Sequence, residues 1–173
     1  LVGRGVAAEI AVLSTCNRSE IYVVSEDIER ARREIVDFLS SYHHLPPAAF
    51  LPHLFEHDDT SAAEHLFRVA AGLDSLVVGE PQILGQVKAA YLAAQAAGRT
   101  GSILAQLFER ALSVAKTVRT ETGISDHAVS VSYAAVELAK KIFESLQQRT
   151  VMVLGAGDTA ELAARHLFNQ GIA

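Results

Sequence analysis

Two short runs near the start of the chain, EIAVL (9–13) and EIYVV (20–24), are β-rich and apolar, and they flank the polar stretch STCNRS (14–19). They read as neighbouring strands, joined by a loop of about six residues, a common length for a connection that carries function. The period then changes. In DIERARREIVDFLSSYHH (27–44), Ile28, Ile35, Phe38, Leu39 and Tyr42 recur at helical spacing with charges opposite them, until Pro46 and Pro47 stop the run. HLFEH (53–57) reads as a short third strand. DDTSAAEHLFRVAAGL (58–73) predicts a helix capped by Asp59, Thr60 or Ser61 and closed by Gly72. The segment 73–98 opens irregularly, bends at Gly79 and turns helical around Pro81. A further helix is predicted over 102–123, with Ile103, Leu104, Leu107, Phe108, Ala111 and Ala115 on its buried side. Another is predicted over 125–146, starting near Ser125 or Asp126.

The last segment, TVMVLGAGDTAELAARHLFNQGIA (150–173), reads as a buried strand, a glycine turn and a helix. The pattern divides the chain into residues 1–122, a linking helix over 123–149, and the start of a second domain over 150–173. There is no internal repeat.

Composition narrows the classes. Half of the 173 residues are apolar, enough for a real core. No apolar run approaches the ~18 residues that a membrane span needs. A single cysteine rules out an internal disulfide and fits a reducing, cytoplasmic compartment. It also excludes the usual cysteine-rich zinc sites, and no metal site is expected. The net charge of −5 speaks against non-specific nucleic-acid binding, while leaving room for a local basic patch. Lys88, Arg99, Arg110, Lys116, Arg119, Lys140 and Lys141 read as solvated helix faces. The chain begins at Leu1 and has its only methionine at 152, so it reads as a piece of a longer protein trimmed at its front.

Two places carry chemistry. Gly155, Gly157 and Ala160 fit the dinucleotide fingerprint G-x-G-x-x-G/A, and here the pattern follows a strand and opens a helix. The first glycine permits the tight turn, and the second lets backbone N–H groups approach a pyrophosphate at the positive helix end. The plain alternative is a tight turn without a ligand. The residue that selects NAD or NADP falls about 20 positions further on, at or beyond Ala173. The second place is Cys16, which has Ser14, Thr15, Asn17 and Arg18 for company. Most free cysteines are small core residues. Polar and basic neighbours instead suit a nucleophile, because nearby cations favour the thiolate. A nucleophilic cysteine beside a nicotinamide site suggests one chemistry. The thiolate takes an acyl group as a thioester, and hydride reduces that thioester to an aldehyde.

Four stretches, LSTCNRSEIY (13–22), RVAAGLDSLVVGEPQILGQVKAAY (68–91), AKTVRTETGI (115–124) and VMVLGAGDTAELAARHL (151–167), together resemble the glutamyl-tRNA reductases. The resemblance implies NADPH-dependent reduction of glutamyl-tRNA to glutamate-1-semialdehyde, the first step of tetrapyrrole synthesis from glutamate. It implies Cys16 as nucleophile and His65 as a residue that tunes the thiol or moves a proton. A plain helix-surface position is the alternative for His65. Thr15 and Arg18 match residues that hold the glutamyl group, with Asn17 orienting the same loop. Ser75, Glu80, Pro81, Gln82 and Gln86 match other substrate-pocket positions. Gly155, Ala156, Gly157, Asp158, Thr159 and Ala160 match the NADPH phosphate site. The implied fold is α/β (α+β). A ferredoxin-like catalytic domain with added helices, lacking its first strand here, leads into the first βα unit of a Rossmann domain. The implied partners are glutamyl-tRNA, glutamate-1-semialdehyde aminomutase as the next enzyme, and a second copy of the parent through a C-terminal dimerisation domain. One βα unit is not a whole dinucleotide site, so the 173 residues alone are expected to be a poor reductase. Two other classes stay open: a thioesterase or acyl transferase using Cys16 without hydride transfer, and a non-catalytic tRNA-binding module.

Overall fold

The computed structural model describes residues 5–125, 131–147 and 149–172. Strands β1 (Glu9–Ser14) and β2 (Ser19–Val24) form an antiparallel hairpin in which Ala11 faces Tyr22 and Leu13 faces Glu20. Side chains alternate between the faces of a strand. One row, Glu9, Ala11, Leu13, Glu20 and Tyr22, is therefore buried, while Val12 points outward and is exposed. Two of the five inward positions are carboxylates, and each needs partners inside the protein.

Helices follow: α1 (Ile28–His43), the single turn α2 (Pro47–Phe50), α3 (Asp59–Ala71), α4 (Gln82–Ala96), α5 (Ser102–Glu121), α6 (Val131–Phe143) and α7 (Asp158–Phe168). The start of α1 is fixed by Asp27, whose side chain accepts from the Arg30 N–H. At α3 the cap is Asp58, one residue before the expected candidates. It forms a capping box with Ser61, and Gly72 closes the helix at φ +79°. The core is built where α3 packs on α5 and α4 lies over β1. Leu13, Leu66, Val69, Ile83, Val87, Leu104 and Phe108 fill it. Phe108 meets Tyr22 edge-on at 5.4 Å and stacks on Tyr91 at 5.6 Å. Among the described residues no helix is long and apolar enough to cross a membrane.

Several expectations are corrected. Residues 53–57 are not a strand. Leu51–His53 form a 3-10 turn, and 54–58 are irregular. Pro52 lies inside that turn and has no N–H to give to a ladder. Helix α1 does end before Pro46 and Pro47, as expected, but Pro47 then opens the single turn α2. On α1 only Ala31 is buried, and Ile28, Phe38 and Tyr42 are exposed. Ile103 is exposed because it sits at the start of α5, a position turned from the Leu104–Phe108 stripe. Gly123–Ser125 form a 3-10 turn beyond α5, and the expected helix start at Asp126 lies outside the described residues. Residues 151–154 lack a ladder partner among the described residues, so they are not a strand, and Val151, Met152, Val153 and Leu154 are exposed rather than buried. A strand exists only by pairing with a neighbour.

Candidate active site

The loop between β1 and β2 is tied by its own threonine. Thr15 Oγ1 accepts from the N–H groups of Asn17 and Arg18, each at 3.2 Å, and Thr15 N–H donates to the Arg18 carbonyl at 2.9 Å. Short hydroxyl side chains make such turns. Cys16 is thereby held at the hairpin tip with its side chain exposed. Asn17 takes part in this turn through its backbone N–H.

Arg18 anchors the base of the hairpin. Its side chain is only 11% exposed. Nη1 donates to Glu20 Oε1 at 2.8 Å and to Asp74 Oδ2 at 3.1 Å, and Nη2 donates to the Asp74 carbonyl. Burial works against the guanidinium charge, and Glu20 and Asp74 outweigh it, so its pKa is raised. Glu20 is the hub of this network. Beyond Arg18, its Oε2 accepts from the Tyr22 hydroxyl at 2.5 Å, and Oε1 lies 3.0 Å from His65 Nε2. A carboxylate offers only acceptors, so Nε2 carries the proton there and Nδ1 is the other nitrogen left for proton transfer. Burial, followed by the Glu20 carboxylate, pushes the Tyr22 phenol well above the ordinary tyrosine range. The His65 ring stacks on His57 at 4.8 Å and meets Phe55 at 5.4 Å. Among the described residues its partners are these and Glu20, not Cys16.

The irregular segment after α3 forms the facing wall. Gly79 N–H donates to the Gly72 carbonyl at 2.9 Å, closing a loop that carries Asp74 and Ser75. Gly79 has φ +83°, and a Cβ there would strike the Ile124 carbonyl oxygen. Arg119 reaches from α5 to donate to the Glu80 carbonyl. Ser75 Oγ is buried without a hydrogen-bond partner among the described residues, an orphan that calls for an explanation. Pro81 is the cap of α4 rather than a residue of its first turn; Gln82 and Gln86 share one face of that helix, Gln82 exposed and Gln86 half-buried.

Sequence reasoning missed Glu20, Tyr22, Asp74 and Glu9. Glu9 accepts from the N–H groups of Ile103 and Leu104 at 3.1 and 2.7 Å, capping α5 from the sheet. Burial pushes its carboxyl up, but the amides of Leu104, Ile103 and Gly101 outweigh this and leave it below the ordinary carboxylate value.

Far along the chain, Gly155 takes φ +120° and Gly157 caps α7 with no side-chain cap bond. A Cβ at either glycine would meet nothing within 4 Å. The glycine turn is therefore uncrowded where it enters α7, and a helix start suits a phosphate, although the Ala160 N–H already donates to the Gly157 carbonyl. These residues fit the phosphate end of a dinucleotide.

Residues 2–122 match the family described as Glutamyl-tRNAGlu reductase, N-terminal domain. The chain belongs to the glutamyl-tRNA reductase family. Relatives named glutamyl-tRNA reductase include that of Geobacter metallireducens, 52% identical over 165 residues, covering 95% of this chain and 38% of the relative. That of Solibacter usitatus is 56% identical over 164 residues, covering 95% and 39%. A solved structure, Glutamyl-tRNA Reductase from Methanopyrus kandleri, aligns with a TM-score of 0.57 at 37% identity, over 96% of this chain and 38% of that one. The chain therefore spans about two fifths of the length of these glutamyl-tRNA reductases. Residues 137–173 also match the family described as Shikimate / quinate 5-dehydrogenase, which covers the glycine turn and α7.

Proposed function

We propose that this chain supplies the acyl-transfer centre of an NADPH-dependent reductase that converts glutamyl-tRNA to glutamate-1-semialdehyde for tetrapyrrole synthesis. One observation carries the reading: Cys16 is exposed at the tip of a hairpin whose base is pinned by the Arg18, Glu20 and Asp74 network. The Cys16 thiolate attacks the ester carbonyl joining glutamate to the tRNA. The S–C bond forms, the C–O bond to the ribose breaks, and the ribose oxygen leaves as a hydroxyl after taking a proton. Arg18 holds the side-chain carboxylate of the glutamyl group, since a guanidinium matches a carboxylate bidentately. The Thr15 and Ser75 hydroxyls, with Glu80, Gln82 and Gln86, line the acyl pocket, and Pro81 and Asn17 shape its walls. His65, oriented by Glu20, carries protons at Nδ1. Gly155 to Ala160 hold the cofactor phosphates, and NADPH when bound supplies the hydride that takes the thioester to the aldehyde.

On this reading the chain divides into a catalytic unit over 1–122, a link containing α6 over 123–149 and the start of the NADPH domain over 150–173. The reaction takes place in the reducing cytoplasm, where the thiol stays free. An aminomutase consumes the aldehyde, and a C-terminal domain of the whole protein pairs two copies. The test is Cys16→Ser in the full-length protein. Aldehyde formation should fall at least about a thousandfold while glutamyl-tRNA binding persists. Turnover within tenfold of the unaltered protein would overturn the reading.

A further inference from the structure

Arg18 has five N–H donors in one plane. Three are spent: Nη1 on Glu20 and Asp74, and Nη2 on the Asp74 carbonyl. Both bonds to Asp74 leave from the terminal nitrogens, so Asp74 takes the end of the fork. The two donors without an acceptor among the described residues are the Nε–H and one Nη2–H. They lie side by side along one edge and are spaced for the two oxygens of one carboxylate.

We propose that Asp74 is a positioning residue for substrate recognition: with Glu20 it fixes the end of the Arg18 guanidinium and presents the Nε–Nη2 edge to the side-chain carboxylate of the glutamyl group. This rests on the proposed function above and adds to it the residue that aims the specificity group. Glu20 alone would leave the plane free to turn, because it holds a single nitrogen of the fork. Asp74 removes that freedom with two bonds, one from its backbone. The Gly72–Gly79 closure fixes the loop that carries it. The orphaned Ser75 Oγ follows directly in sequence, so the same loop offers a buried hydroxyl with no partner among the described residues. The Asp74 side chain is itself 45% exposed. It lies at the edge of the network rather than within the core, where recognition rather than packing is at stake.

The test uses the full-length protein and one tRNA charged with either glutamate or glutamine. Asp74→Asn should raise the KM for the glutamyl form about tenfold, with kcat changed less than about threefold, and should erode the preference for glutamate over glutamine by a similar factor. Asp74→Glu keeps the charge and should recover most of the preference. An unchanged preference in Asp74→Asn would overturn the proposal. So would equal losses for both aminoacyl forms, the mark of a purely structural latch. Arg18→Ala separates the two levels. If it keeps the preference, the role of Arg18 falls and that of Asp74 with it. If Arg18→Ala loses the preference and Asp74→Asn keeps it, only the role of Asp74 falls.

Discussion

The hairpin-and-helix body over 5–125 and the stretch that carries α6 and α7 differ in how completely they enclose their apolar residues. In the first, Phe108 is 0% exposed and sits among Tyr22, Tyr91 and the α3–α5 contact. In the second, Val136 of α6 is buried, but Met152 and Leu154, between α6 and α7, are 77% and 84% exposed. The two regions also carry different kinds of chemistry. The first holds a thiol and a network of charged side chains, whose geometry needs rigid backing. The second offers backbone amides at a helix start, which need only the local turn. A site of side chains is as fixed as the core behind it, whereas a site of amides is fixed by its own helix.

That contrast can be tested by stability. Phe108→Ala should destabilise the folded chain by about 3–5 kcal/mol in urea denaturation, since it empties the centre of the packed body. Next comes Gly79→Ala, which forces a Cβ onto the Ile124 carbonyl at a left-handed φ and should cost about 1–3 kcal/mol. A cost near zero would mean the wall that carries Asp74 and Ser75 is loose. Glu9→Gln should cost about 1–2 kcal/mol through the weakened cap on α5. Its pH dependence has a defined sign. The folded Glu9 carboxyl titrates below its ordinary value of 4.5, so its contribution is present above 4.5 and is lost as pH falls through the lower, folded value. Acid denaturation of Glu9→Gln should therefore be shallower in that range. Met152→Ser should change stability by less than about 0.5 kcal/mol. A loss as large as that of Phe108→Ala would erase the contrast.

What could be read in the sequence was local. The Cys16 loop, the glycine stop at Gly72, the bend at Gly79 and the glycine turn before α7 all rest on neighbours a few residues apart, where turn chemistry decides. What escaped was long-range. Glu20 and His65 are 45 residues apart, Arg18 and Asp74 are 56 apart, and Glu9 and Ile103 are 94 apart. No periodicity encodes such pairs, and an inward-facing glutamate on a strand looks like any charged residue until its partners are placed. The error at 53–57 has a different source. Leu54 and Phe55 gave an apolar signal, but both are exposed, and Phe55 instead lies against His57 and His65.

The central claim is that Cys16 takes the acyl group. Its most direct test is to incubate the full-length protein with tRNA carrying labelled glutamate, without NADPH, and to look for the adduct by mass spectrometry. The account predicts a glutamyl thioester on the Cys16 peptide, which disappears as labelled aldehyde forms once NADPH is added. An unmodified Cys16 peptide, with aldehyde still produced when NADPH is present, would contradict it.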